Sequence, residues 1–148
     1  MKITPDTNVI VRAAIAADDP ESEDAQQARQ AIALLGQADL VAVTIPALCE
    51  FVWVLRRIYK HAPPDICRAI RSLCGSAAAV CDRPTVEAGL RWLEAGGDFA
   101  DGAITALGRK LGADLFASFD RKAVRLAQAA GQHAELPSMK SGAPATPR

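Results

Sequence analysis

Lys2-Ile3-Thr4-Pro5-Asp6-Thr7-Asn8-Val9-Ile10-Val11 opens the chain and sets its architecture. Lys2 to Thr4 reads as a short strand, Pro5 stands at its exit, and Asp6 follows at once. From Thr7 to Ala17 the small and apolar residues Val9, Ile10, Ala13, Ala14 and Ala17 recur at helical spacing. A strand that ends in a carboxylate and turns straight into a helix is the opening unit of an α/β fold. Ligands of open parallel sheets bind at the carboxyl ends of strands, so Asp6 stands where chemistry is expected. The alternative for Asp6 is a helix N-cap, a position that aspartate fills well.

Outward from this unit the pattern repeats. Glu21 to Leu35 reads as a helix stopped by Gly36, Leu40 to Val43 as a buried strand, and Pro46 to Tyr59 as a helix. Pro63 and Pro64 break the pattern before a helix over Asp65 to Leu73. A short strand is expected over Ala78 to Cys81. Asp82 caps a helix over Pro84 to Ala95, and Asp98 opens one that runs to Leu111. Asp114 to Ala117 is a strand, Asp120 caps a helix to Ala130, and Ala134 to Leu136 reads as an edge strand. Strands alternating with helices predict an α/β three-layer sandwich, with a central, mostly parallel sheet flanked by helices. The chain has 148 residues, the size of one domain, expected over 1–137. Ser138 to Arg148, with Gly142, Pro144, Pro147 and no hydrophobic pattern, reads as a disordered tail.

Composition narrows the function. Half of the residues are hydrophobic and the net charge is zero. A simple nucleic-acid binder is basic, so contact with nucleic acid here needs local positive charge or a bound cation. Arg56, Arg57, Lys60, Arg68 and Arg71 supply such a concentration, or else form a solvated helical face. Cys49, Cys67, Cys74 and Cys81 form no C-x-x-C pair and read as small core hydrophobes rather than a zinc site. His61 and His133 are too few and badly placed for a two-histidine ribonuclease. The N-terminal apolar run is too short for a signal peptide and no stretch approaches the roughly 18 apolar residues of a membrane helix, so a cytoplasmic protein is expected.

Four further carboxylates stand out. Glu50 interrupts an apolar helix, Leu48-Cys49-Glu50-Phe51-Val52-Trp53-Val54-Leu55, and must meet a cation, a hydrogen-bond network or a cleft, unless it lies on a narrow solvated stripe with Arg57. Asp98 and Asp101 lie three apart and share a helix face, where like charges repel. Asp98 is the better candidate for a mere cap. Asp120 repeats the strand-to-helix position of Asp6, and again a cap is the alternative.

As a set, Pro5 to Arg12, Leu48 to Leu55, Gly97 to Ile104 and Ser118 to Lys122 resemble PIN-domain proteins. More narrowly, they resemble VapC-type toxin ribonucleases of type II toxin–antitoxin systems, over about Met1 to Leu136. The resemblance implies a PIN-like fold and catalytic, metal-holding acids at Asp6, Glu50, Asp101 and Asp120, with Asp98 an additional acid. It makes Asn8 and Ser118 supporting residues that hold the carboxylates by hydrogen bonds. Two positions depart from the pattern: Pro5 where a strand residue is usual, and Gly102 in place of alanine, which would loosen that helix by about 1 kcal/mol. An acidic oxygen cluster suits Mg²⁺, with Mn²⁺ as a substitute. The implied activity is hydrolysis of RNA by metal-activated water, leaving a 5′-phosphate and a 3′-hydroxyl. The implied partners are a small VapB-type antitoxin and a second copy in a homodimer. Trp53, Trp92, Phe51 and Tyr59 are candidates for the antitoxin contact, with core burial the default. The competing readings are a catalytically silent interaction module on the same fold and a metal-dependent DNA nuclease.

Overall fold

The computed structural model describes residues 1–138, so the expected tail lies outside the described residues except for Ser138. The elements run β1 (Lys2–Ile3), α1 (Thr7–Ala14), α2 (Glu23–Gln37), β2 (Leu40–Ala42), α3 (Ile45–Arg57) and α4 (Pro63–Gly75). They continue through β3 (Ala79–Val80), α5 (Arg83–Glu94), α6 (Phe99–Lys110), β4 (Phe116–Ala117), α7 (Arg121–Ala129) and β5 (Ala134–Glu135). This is the expected α/β arrangement, and each strand pair is parallel. Lys2 lies opposite Leu40, Val41 opposite Ala79 and Phe116 opposite Ala134.

The sheet differs from expectation in its continuity. β1, β2 and β3 form one sheet, while β4 and β5 form a separate pair. The hydrophobic packing divides the same way. The larger core gathers Leu48, Phe51 and Leu55 of α3, Ile66 and Ile70 of α4, Leu90 and Leu93 of α5, and Phe99. A smaller core of Ala123, Val124, Ala127 and Ala134 closes on Trp92, with Phe116 against it. The Trp92 and Phe116 rings meet edge to face at 5.7 Å, a favoured aromatic geometry. Strand β4 is thus fastened by its hydrogen bonds to β5, by the Trp92–Phe116 contact and by α7, not by hydrogen bonds to β1.

Several helix ends also differ. α1 stops at Ala14 rather than Ala17, because Ile15 turns to extended backbone while its N–H still bonds Val11 O. α2 starts after Ser22, which accepts from the Ala25 N–H, and passes through Gly36 to Gln37. Pro63 and Pro64 begin α4 instead of breaking the chain before it, since first-turn N–H groups have no intrahelical partner to lose.

Gly102 requires the largest correction. A Cβ there would stand 2.7 Å from Ala88 O and 2.8 Å from the Trp92 ring, and a Cβ at Gly89 would stand 2.5 Å from the Phe99 ring. The two glycines let α5 and α6 close on each other, so Gly102 tightens this packing where helix propensity alone suggests loosening. Cys67 and Cys74 are buried and all four cysteines are unbridged. No helix among the described residues is long and apolar enough to cross a membrane.

Candidate active site

Asp6 lies three residues beyond β1 and N-caps α1. Its Oδ1 accepts from the Thr7 N–H at 2.8 Å. Asp98 caps α6 through Oδ1, which accepts from Ala100 N–H at 3.2 Å, and Asp120 caps α7 through Oδ1, which accepts from Lys122 and Ala123 N–H at 2.9 and 3.2 Å. The cap alternative therefore holds for three of the five acids. It does not exhaust them, because Oδ2 of each takes no hydrogen bond among the described residues.

Glu50 sits well inside α3, where its carboxylate is not a cap. Glu50 and Arg57 are both exposed, so the solvated-stripe alternative holds for the burial of Glu50, and its Oε2 also accepts from the Thr7 hydroxyl at 2.7 Å. Thr7 is a residue that sequence reasoning missed. It is buried on the same helical face as Ile10 and Val11, and a threonine at i to two core residues at i+3 and i+4 was the available signal. Asp101 follows in the first turn of α6, half-buried, and its carboxylate accepts no hydrogen bond among the described residues. Burial pushes the Asp101 carboxyl up from its ordinary value, with Asp98 and then Asp120 adding to the rise.

These side chains line two cavities. Asp6, Asn8 and Glu50 share the larger, of about 750 Å³, with Thr7, Arg12 and Tyr59. Asp98, Asp101 and Asp120 share a second, of about 440 Å³, with Trp53, Arg56 and Arg57 of α3. The two adjoin across α3. Burial raises the Cys49 thiol, and both Asp98 and Glu50 add to that rise, which puts one carboxylate from each cavity within electrostatic reach of a single α3 side chain. The structure thus brings Asp6 to Glu50, and Asp101 to Asp98 and Asp120, as two neighbouring groups.

The supporting residues depart from their expected roles. Asn8 lines the larger cavity but makes no side-chain hydrogen bond to a carboxylate among the described residues. Ser118 accepts from the backbone N–H of Asp120 at 3.1 Å and so holds the main chain, not the carboxylate. Of the five cations expected to flank the cleft, only Arg56 and Arg57 line the second cavity. Arg68 pairs with Asp65, and Arg71 pairs with Glu94 at 2.6 Å and Glu87 at 3.6 Å. Phe51 and Trp92 are buried, whereas Trp53 is 58 % exposed. His61 lies edge to face with Tyr59 and is not a member of either acidic group.

The donor chemistry bears on the kind of cation these residues would fit. Among the described residues no three His, Cys, Asp or Glu side chains form a group that cages a metal ion by itself. The acids offer hard oxygens, with no three of them gathered as one group among the described residues, and Cys49, the neighbouring sulfur, is held as a thiol by its raised pKa. That set fits Mg²⁺ or Mn²⁺, which keep waters and bind through one or two carboxylates plus substrate phosphate, and does not fit zinc.

Acids at strand ends and helix starts mark this α/β fold, and comparison assigns it to a family. The family model for the PIN domain matches residues 3–129, and the chain belongs to that family. PIN domains are generally metal-dependent nucleases, they act on nucleic acids, and they often pair with antitoxins. No curated protein matches the chain.

Proposed function

We propose that this chain is a Mg²⁺-dependent endoribonuclease and the toxin of a toxin–antitoxin pair, cytoplasmic and homodimeric, held inactive by a small VapB-type antitoxin. The observation that carries the reading is the unused oxygen. Each of Asp6, Glu50, Asp98 and Asp120 is held by one carboxylate oxygen and leaves the other without a hydrogen-bond partner, while Asp101 leaves both. Asp101 differs from the ordinary surface carboxylates of the chain in being half-buried beside two other acids with neither oxygen bonded.

In this reading Asp6 and Asp101 would be the first to hold the cation, and Glu50 and Asp120 would complete the set. A bound divalent ion supplies Lewis acidity, lowering the pKa of a water and neutralising phosphate charge. The chain's residues do the positioning. Thr7 fixes Glu50 through Oε2 and leaves Oε1 to orient a water or take its proton. Ser118 and the α7 cap fix Asp120, and Asp98 adds negative charge beside Asp101 that favours cation binding. Asn8 presents an amide to the cavity next to Asp6.

Purified protein with Mg²⁺ or Mn²⁺ is expected to cut RNA and to spare DNA of the same sequence. Excess EDTA abolishes the cut, and Asp101→Asn lowers it by about 100-fold or more, at least the loss that removal of an outer partner of a metal can cause. Cleavage that survives EDTA, or equal cleavage of DNA, overturns the assignment. The toxin role is tested by expression: induction should arrest growth, and co-expression of a small adjacent reading frame should relieve the arrest.

A further inference from the structure

We propose that Trp53, Arg56 and Arg57 form the substrate platform of this nuclease, stacking one unpaired RNA base on the indole and holding the flanking phosphates on the guanidiniums. The inference rests on the ribonuclease reading and assigns to three residues of α3 the holding of its substrate.

The three residues lie at i, i+3 and i+4 of α3 and so share one helical face. Their face is the unusual one. Phe51, Val52 and Leu55 of the same helix are buried, yet Trp53 is 58 % exposed, against 6 % for Trp92. An exposed indole beside guanidiniums suits a flat, negatively charged ligand, because every base has a π-face and its backbone carries the phosphates.

The charges agree. Arg56 and Arg57 have no ion pair among the described residues, although Asp98, Asp101 and Asp120 line the same cavity. Arg56, Arg57 and Lys122, none of them ion-paired among the described residues, line one cavity of about 440 Å³ with these carboxylates, a space within the usual size of a small-ligand site. They also meet the need for local positive charge in a chain whose net charge is zero. A duplex hides its base faces, so the platform selects unpaired nucleotides.

The test uses the full chain in EDTA, so that binding is read without cleavage, and a fluorescein-labelled mixed-sequence RNA eight-mer as probe. Stacking should quench the emission of exposed Trp53 while buried Trp92 persists. Trp53→Ala should weaken binding by about 5- to 150-fold, the range of one base–aromatic stack, and Trp53→Phe should restore most of it. Arg56→Gln and Arg57→Gln should each reduce the salt slope of log K by about 0.7. A blunt duplex of the same sequence should bind weakly and leave Trp53 unquenched.

Wild-type affinity in Trp53→Ala overturns the proposal, as does equal quenching by the duplex. So does a shift of Trp53→Ala from dimer to monomer in sedimentation with RNA affinity intact, which would make this face a contact between two copies. Cleavage is assayed separately in Mg²⁺. Quenching without cleavage of any substrate supports the platform and sinks the nuclease reading. Cleavage and binding both unaffected by Trp53→Ala do the reverse.

Discussion

Asp6 and Asp82 hold equivalent places in the chain, each just beyond a parallel strand and each capping the helix that follows. Their oxygens separate them. Asp82 accepts from Thr85 N–H at 3.3 Å with Oδ1, and from the Thr85 hydroxyl at 2.8 Å and from Lys110 with Oδ2. Hydrogen bonds from Lys110 and Thr85 hold its carboxyl below the usual range. Stability from this depressed group is present above the unfolded value of 3.8 and is lost as pH falls through the folded value. Asp82→Ala should therefore cost about 1 kcal/mol of cap stability at neutral pH, less in acid, and leave cleavage intact. Denaturant unfolding at pH 7 and pH 3 checks this.

Asp101 behaves in the opposite sense. Its folded pKa is raised, by burial first and then by Asp98 and Asp120, so the folded state binds more protons between the two values. In EDTA, stability is greatest below 3.8 and declines as pH rises through the folded value. Asp101→Asn removes that decline and should leave the metal-free protein more stable than wild type at pH 7 while activity is lost. Unfolding of both proteins in EDTA across pH 4 to 7 is the measurement, and a wild type more stable than the variant at pH 7 refutes it. For Thr7, replacement by valine deletes the bond to Glu50. A hydrogen bond to a charged group contributes about 1.5 kcal/mol or more to stability, so the variant should lose about that amount and kcat should fall as Glu50 loses its orientation, with Thr7→Ser restoring both.

Among the elements, α5 and α6 carry the tightest packing, and two glycines permit it. Gly102→Ala raises intrinsic helix propensity by about 1 kcal/mol yet forces a methyl within 2.8 Å of the Trp92 ring and 2.7 Å of Ala88 O. Overpacking of this kind costs about 1–3 kcal/mol. The net expectation is a destabilised protein, read as a lower midpoint in urea. Since Asp98 and Asp101 ride on the first turn of α6, activity should fall with it. A midpoint unchanged or raised would mean that α6 shifts to accommodate the methyl without loss.

At the scale of the whole molecule, two hydrophobic clusters carry two acidic groups. β1 and α3 of the larger assembly present Asp6 and Glu50, α6 presents Asp98 and Asp101, and the β4–α7–β5 unit presents Asp120 through its own small core. A cation that binds across these groups links the pieces and stabilises only the folded chain. Mg²⁺ at 100 times its Kd should add about 2.7 kcal/mol, seen as a rise in Tm that EDTA reverses. Asp101→Asn should lose most of that rise, whereas Asp82→Ala should keep it.

The sequence by itself determined the order and kind of the elements, the parallel α/β class and the acids worth testing, because helical periodicity, capping and proline or glycine punctuation act within about four residues. Asp6, Asp98 and Asp120 were recognisable as caps for that reason, and the apolar run around Glu50 marked it as out of place. Only the tertiary structure decided which carboxylate oxygens remain without a partner, that Thr7 holds Glu50, that Arg71 is already paired, that Gly102 packs tightly, and that β4 pairs with β5 and not with β1. Each of these depends on a contact with a residue distant in sequence or on another element: Glu50 lies 43 positions from Thr7 and Lys110 lies 28 from Asp82. Local patterning carries no record of such separations, since the atoms that satisfy or crowd a side chain arrive only when the helices pack.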